Sequence, residues 1–380
     1  MNLTSLDETI AALARYGFDP ALNQHFVTRA AALVDNAARG QLLPIPDQAM
    51  PELPALGTPQ RARLRQLGCD LIKANKVGVV ILAGGMATRF GGVVKAVVPA
   101  RGKQSFLELK HQDIATLAAS LGAQIPTMVM SSFATHDVIE AHIVDKQLRT
   151  TTNLRIDVFP QMSALRLTPA GQFFREPSGA LSPYATGHGD LSFALRASGA
   201  LTRFRDHGGT TLFMTNVDNL GATLDPAVIA LHHELGAAIT VEVVNKLPGA
   251  VGGAPALLDG VPQIIEGFRF PRDFDQNQIA VFNTNTLILD AAAIDRDFDL
   301  PYYRVEKKVE GETVVQFERL VGELTAFVPS RFVRVAQAGA DCRFLPIKEP
   351  EDLARHRSLI DRITASRRSL ADLGEHEIAD

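Results

Sequence analysis

A doubly wound, mostly parallel α/β sheet is the architecture this sequence predicts, and three observations predict it. Short apolar runs of strand length recur from Val77 onward and alternate with helical patterns. Most of these runs are apolar throughout rather than alternating, as in a sheet covered on both faces. Polar or glycine-rich sequence follows three of them, at Ala83 to Gly92, Ser131 to His136 and Thr215 to Gly221. Open α/β sheets take their ligands beyond the carboxyl ends of the strands, so these three stretches are expected to converge on one crevice.

Residues 5–40 read as helical. Ser5 and Glu8 make a capping box, Leu6, Ile10 and Leu13 share a face, and Phe26, Ala30, Leu33 and Ala37 repeat at helical spacing until Gly40. Pro44, Pro46, Pro51, Pro54 and Pro59 then argue against regular structure and for a linker packed across a neighbour. A helix over Gln60 to Asn75 leads into a strand over Val77 to Leu82. A helix follows at Gln104 to Leu121, a strand at Thr127 to Met130, a helix at Thr135 to Leu148 and a strand at Arg155 to Phe159. The next helix spans Asp190 to His207. Then come a strand at Thr210 to Met214, a helix at Asp225 to Leu235 and a strand at Ile239 to Val244. Beyond Gly249 the pattern is less regular, as in an inserted antiparallel layer. Glu349 to Leu370 reads as a charged helix with Leu353, Ile360 and Ile363 inward.

Composition narrows the function. Of 380 residues, 46% are hydrophobic, and the net charge is −4. With both signs interspersed, no broad nucleic-acid or membrane surface is expected, and phosphate chemistry must rest on a few local cations. Cys69 and Cys342 form no motif and read as reduced thiols of a cytoplasmic protein. The N-terminus carries no signal-peptide pattern, and no window approaches the ~18 apolar residues of a membrane span.

The stretch LAGGMATRFGG, Leu82 to Gly92, closes the first strand of the sheet and is followed by Lys95. A dinucleotide fingerprint would read G-x-G-x-x-G, open directly into a helix and be answered by an acidic residue after the next strand; none of this holds. A Walker A loop needs a terminal Gly-Lys-Ser/Thr, which is absent. What remains is Gly-Gly-x-x-Thr-Arg and a lysine, where bare backbone can approach a base and phosphates while a cation offsets phosphate charge.

With Lys95, this stretch resembles the signature loop of the sugar-nucleotide pyrophosphorylases. GHGDL (Gly187 to Leu191) and TNVDNLGATLD (Thr215 to Asp225) narrow the resemblance to the UTP–glucose-1-phosphate uridylyltransferase family and its close relatives, the UDP-N-acetylhexosamine pyrophosphorylases. SSFATHD (Ser131 to Asp137), FNTNTL (Phe282 to Leu287), VVQFE (Val314 to Glu318) and RFLPIK (Arg343 to Lys348) extend it in order from about Val77 to Lys348. The resemblance implies a Rossmann-like, GT-A-like nucleotidyltransferase fold with a helical N-terminal region and no C-terminal β-helix. It implies three parts: residues 1–75, helical region and linker; 76–348, catalytic domain; 349–380, C-terminal helix. The sequence departs from the family at Ala87, where glycine is usual, at Val94, where proline is usual before the lysine, and at SSF, where Asn-Ser-Phe is commoner.

The resemblance also implies roles. Leu82, Ala83, Gly84, Gly85 and Arg89 would line the nucleotide, Gln161 and Gly187 the uracil, and Asp218 a Mg²⁺ ion or the ribose. Lys95 would stabilise the departing pyrophosphate, and Lys348 would bridge the sugar phosphate and the α-phosphate, the two catalytic lysines. His188, Asn216, Gly253, Glu266, Asn283 and Asn285 would read the sugar phosphate. Each has a plainer reading: strand-to-loop turn for the glycines, turn residues for Asn216, Asp218 and Asn219, solvated lysines, and an edge-strand amide for Gln161. His232 and His233, inside a helical pattern, read as facing solvent.

The expected activity is uridylyl transfer from UTP to a hexose 1-phosphate with Mg²⁺, giving UDP-glucose and pyrophosphate. The alternatives are N-acetylglucosamine 1-phosphate as acceptor, or a nucleotide-binding regulatory homologue without turnover. Neither a nucleic-acid nor a membrane partner is expected.

Overall fold

In the computed structural model, residues 5–365 are described, apart from 33, 151–154, 248–251 and 340. The sequence readings that fall on Leu33, Gly249 and Leu370 lie outside the described residues.

Seven strands form the central sheet: β1 (Val77–Leu82), β2 (Thr127–Ser131), β3 (Ile156–Pro160), β4 (Thr211–Asn216), β5 (Ile239–Asn245), β6 (Val281–Asp290) and β7 (Ser330–Arg334). Their order is β7-β5-β6-β4-β1-β2-β3. All neighbours are parallel except those of β6, which runs antiparallel to both β4 and β5. The continuous apolar runs have the expected cause. All six residues of β1 are buried, with Val77, Val79 and Ile81 in one hydrophobic cluster and Val80 and Leu82 in another. Side chains alternate faces along a strand, so both faces of the sheet are covered.

Register places the carboxyl ends level. Leu82 pairs with Asn216 on one side and Met130 on the other, and Met130 pairs with Phe159. The loops after β1, β2, β3 and β4 therefore leave the sheet at the same height, as the sequence pattern predicts.

Two helices precede the sheet, α1 (Leu6–Leu13), with the predicted Ser5/Glu8 capping box, and α2 (Pro20–Ala30). The continuous helical reading to Gly40 is too long: α2 ends at Ala30, and residues 34–39 are irregular. Together with the 3₁₀ turn Ala14–Tyr16 between them, these helices brace the segment after β3 and the start of the helix after β2. Ser163 Oγ donates to the Tyr16 carbonyl at 2.9 Å, Leu165 N donates to Asn23 Oδ1 at 2.8 Å, and Asp137 pairs with Arg15 at 2.9 Å. The proline-rich stretch is not wholly irregular, because Leu42–Pro44 adds an antiparallel edge strand to Ala254–Leu258. An edge tolerates Pro44 because no neighbour needs its missing N–H.

Helix α3 (Pro59–Lys73) and α4 (Phe106–Leu121) fall where predicted. Helix α5 (His136–Asp145) stops earlier than read, and a short 3₁₀ turn follows at Leu148–Thr150. The single helix read over Asp190 to His207 is two, α6 (Leu191–Ala197) and α7 (Ala200–Asp206), broken at Gly199 with φ of 70°. Helix α8 (Pro226–Leu235) carries the paired histidines, and here the solvent reading fails for one of them. His232 is buried with Nδ1 2.8 Å from Thr240 Oγ1, and burial lowers its pKa to about 4. The last helical segment also breaks, into α9 (Pro350–Arg355) and residues 357–365, with Ile360 and Ile363 buried and Leu353 partly so. The expected antiparallel layer past the sheet consists of Ala254–Leu258 with Val261–Ile265, and the hairpin Tyr303–Val309 with Glu312–Glu318.

Candidate active site

Four loops meet above the level strand ends. In the first, Leu82 and Ala83 remain part of the sheet: the Leu82 carbonyl accepts from Val217 N at 3.0 Å, and Ala83 N donates to the Met130 carbonyl at 2.8 Å. Gly84 is needed for close approach, since a Cβ there would come within 2.8 Å of Gln161 Nε2 and 3.3 Å of the Ser131 carbonyl. Gly85 faces open space. The loop then folds on itself, with Met86–Ala87 paired to Val93–Val94 and the turn made by Gly91 and Gly92 at φ of 85° and 77°. Ala87 does not take a positive φ, so the alanine in place of the family's glycine costs no backbone strain. Val94 is buried on the same hairpin.

The hairpin delivers Lys95. Its N–H reaches back to the Gly85 carbonyl at 3.4 Å, and its ammonium lies 3.7 Å from the centroid of the Phe90 ring. Burial lowers its pKa to about 8; Lys348 and Arg89 push the same way, while Asp218 and Asp352 oppose. Arg89, more exposed, pairs with Glu349 at 3.7 Å.

Beyond β4, Asp218 meets Lys348, Nζ to Oδ2, at 3.1 Å. These residues are 130 apart in sequence, and Asn219 joins their segments. Its Oδ1 accepts from Leu345 N at 2.8 Å and Gly221 N at 3.2 Å, and its Nδ2 donates to the Arg343 carbonyl at 3.3 Å. Backbone bonds from Leu220 N to Leu345 O and from Ile347 N to Asp218 O complete the seam. Gly221 is required for it, because a Cβ would meet Arg343 and Phe344 backbone at 2.7 Å. Below lies buried Arg343, held by Glu242 at 2.5 Å.

Gln161, buried after β3, is fixed by its N–H to the Ser131 carbonyl at 2.9 Å, so its amide faces Gly84. Opposite, Gly187 has φ of 103° and presses on residue 319, whose carbonyl oxygen a Cβ would meet at 2.5 Å. His188 Nδ1 accepts from Val321 N at 3.0 Å. That bond places the proton of the neutral ring on Nε2, and burial lowers the ring's pKa to about 4, so His188 is a neutral donor near pH 7. Asp190 locks the turn, accepting from Thr186 Oγ1 at 2.6 Å, Met162 N at 3.1 Å and Arg319 Nε at 2.5 Å.

The remaining predicted residues form a second group. A bulge shifts register between Glu242–Thr286 and Val243–Asn283, and in it Asn285 takes φ of 55°. Bulges re-aim side chains. Here Asn285 Nδ2 donates to Asn216 Oδ1 at 3.0 Å, its N–H donates to Asn283 Oδ1 at 2.9 Å, and its own Oδ1 is buried without a partner. Asn283 N donates to the Gly253 carbonyl at 2.9 Å, and a Cβ on Gly253 would lie 2.8 Å from Glu266 Oε2. Burial, then the like charge of Glu323, raises the Glu266 pKa to about 7, although Arg269 opposes.

Sequence reasoning passed over Asn219 except as a turn former, and missed Arg319, Arg343 and the turn-locking role of Asp190. The signals were present in DNL, RFLPIK and GHGD, but a buried polar clamp shows only when its partner segment is known. Among the described residues no group of three or more His, Cys, Asp and Glu side chains could hold a metal ion, and no helix is long and apolar enough to cross a membrane.

The level ends of this open α/β sheet carry two lysines and a carboxylate beside the bare backbone of Gly84. Residues 33–371 match the family model described as UTP--glucose-1-phosphate uridylyltransferase. The chain belongs to that family. A curated relative, UTP--glucose-1-phosphate uridylyltransferase 2 of Dictyostelium discoideum, is 29% identical over 300 residues, 74% of this chain and 58% of its own length. The chain spans about three-fifths of the length of the curated relatives it matches. The UDP-glucose phosphorylase of Trypanosoma brucei has the same fold, with a TM-score of 0.71, 20% identity, and coverage of 91% of this chain and 76% of that one. A putative UDP-N-acetylglucosamine pyrophosphorylase from Entamoeba histolytica matches as well, at 0.71 with 17% identity, covering 82% and 84%.

Proposed function

We propose that this protein transfers uridylyl from UTP to glucose 1-phosphate, releasing pyrophosphate and UDP-glucose, with residues 76–348 as the catalytic unit and the cytoplasm as its location. The observation that carries this reading is the meeting of Lys95, Asp218 and Lys348 above the ends of β1 and β4, beside the Gly84–Gln161 contact. A phosphate oxygen of the sugar phosphate attacks the α-phosphorus of UTP in line, and the bond from that phosphorus to the bridging oxygen breaks. The attacking oxygen is already ionised, so no general base is needed; positioning and charge neutralisation account for such transfers.

In this reading Gln161 and the Gly187 backbone hold the uracil. Lys95 faces the leaving pyrophosphate and Lys348 the phosphates that exchange the uridylyl group. His188, donating from Nε2, holds the sugar phosphate, while Asn216, Asn283, Asn285 and Glu266 read hydroxyls.

Asp218 suits Mg²⁺, which is held through one or two carboxylates plus substrate phosphates rather than by an all-protein cage. When bound, the ion would offset phosphate charge. The strain-free fit of Ala87 weighs against the regulatory alternative. The test is pyrophosphate release from UTP across a panel of sugar 1-phosphates with Mg²⁺. Glucose 1-phosphate should be preferred; a preference for N-acetylglucosamine 1-phosphate would reassign the acceptor, and no release with any of them would leave the regulatory alternative.

A further inference from the structure

Lys95 lies at the centre of a cluster of charges, yet among the described residues no carboxylate forms an ion pair with it. Asp218 is held by Lys348 at 3.1 Å, and Asp352 accepts from the backbone of Lys348 and Glu349. The other charged groups acting on Lys95 are cations, Lys348 and Arg89. What touches its ammonium is aromatic: the Phe90 ring at 3.7 Å and the Phe106 ring at 5.0 Å, centroid to Nζ. Phe106 opens α4 and is fully buried, whereas Phe90 belongs to the crevice hairpin and is partly buried. The two rings come from elements on either side of the lysine.

We infer that Phe90 and Phe106 are positioning residues whose rings form an aromatic cradle, keeping the Lys95 ammonium charged and unclaimed by any carboxylate, and so open to a nucleotide phosphate. The last clause rests on the function proposed above; the cradle itself does not. A ring face attracts a cation through its quadrupole and more strongly when water is excluded. Burial alone drives a lysine toward the neutral amine, which would be useless against phosphate. A carboxylate would keep the charge but would have to be displaced by each incoming substrate. The rings hold the charged form without that competition, in a lysine whose pKa is already lowered to about 8.

The experiment measures the ionisation of Lys95 directly in the substrate-free protein. Competitive labelling with acetic anhydride across pH, read from the Lys95 peptide by mass spectrometry, gives its titration midpoint, with an added peptide amine as internal reference. In Phe90→Leu, which keeps an apolar body but loses the ring, the Lys95 midpoint should fall by roughly 0.5–1 pH unit. Phe90→Tyr, which keeps the ring, should restore it, and Phe90→Met serves as the second ring-free variant should Phe90→Leu fold poorly. The alkaline limb of kcat/KM for UTP should move down in the same variants. A Lys95 midpoint that stays or rises in the ring-free variants overturns the cradle. A midpoint that falls while the kcat/KM limb stays fixed would keep the cradle and overturn only its link to the phosphate.

Discussion

Gly84 and Gly85 are neighbours with different requirements. A methyl group on Gly84 would come within 2.8 Å of Gln161 Nε2, closer than real Cβ contacts come, so Gln161 would have to swing away. A methyl group on Gly85 meets nothing within 4 Å. Gly84→Ala should therefore weaken UTP binding by about tenfold or more, while Gly85→Ala should cost little; titration of UTP by calorimetry compares them. Equal effects would show that Gln161 does not read the base. Glu266 makes a prediction of the opposite kind, in stability. Its carboxyl pKa is raised to about 7, chiefly by burial, so the fold binds a proton that the unfolded chain releases near 4.5. The native state is then favoured at low pH, and this contribution is lost as pH rises through about 7. Glu266→Gln removes the cost of ionisation, and its melting temperature should gain on wild type as pH goes from 5 to 8, by on the order of 2 kcal/mol of stability. The same change should weaken sugar-phosphate binding, as expected of a strained functional group. Thermal melts at the two pH values, run on both proteins, check it.

Elements show how the distant parts of the crevice are brought together. The loop after β4 and the RFLPIK segment are sewn by Asn219, whose side chain makes three hydrogen bonds to backbone there. Asn219→Ala would leave buried backbone groups unpaired and should cost about 2–4 kcal/mol in urea unfolding. Lys348, three residues past Leu345, would lose its support, so kcat should drop more than UTP affinity. A normal kcat in the Asn219→Ala protein would mean that Lys348 is placed by other contacts. This level of structure also marks the limit of what the sequence discloses. The strands were legible because six buried residues in a row, as in β1, admit few alternatives. Helix lengths were less so: a helical period runs on past Ala30 and through Gly199, where backbone rather than pattern ends the helix. The bulge in β6 was invisible. Nothing in the FNTNTL wording marks it, and only register reveals that Asn285 turns to reach Asn216. His232 misled for a related reason, since its partner Thr240 lies on another element. Local patterns report burial well, but a polar clamp is defined by two segments at once.

At the scale of the whole molecule, charge sets the requirement. The chain carries −4 overall, and the proposed reaction brings a triphosphate and a sugar phosphate into one crevice. Among the described residues the cations placed there are Lys95, Lys348 and Arg89, and two of the three are partly engaged, Lys348 with Asp218 and Arg89 with Glu349. Lys95, with a pKa lowered to about 8, loses charge as pH rises beyond it. These groups cannot offset the phosphates alone, so turnover should require a divalent ion, with Asp218 as its protein ligand. EDTA should abolish pyrophosphate release, and added Mg²⁺ should restore it. Asp218→Asn keeps the shape but halves the ligand's claim on a cation, so turnover should drop about 10²-fold or more, with partial recovery at raised Mg²⁺. The substitution also frees Lys348 from its ion pair, which separates two explanations. If Asp218 acts by holding the metal, the half-saturating Mg²⁺ concentration rises in the variant. If it acts only by steadying Lys348, that concentration is unchanged and Lys348→Ala in the same background adds no further loss. Activity that survives EDTA would remove the metal from the reaction altogether, and the three cations would then have to be sufficient.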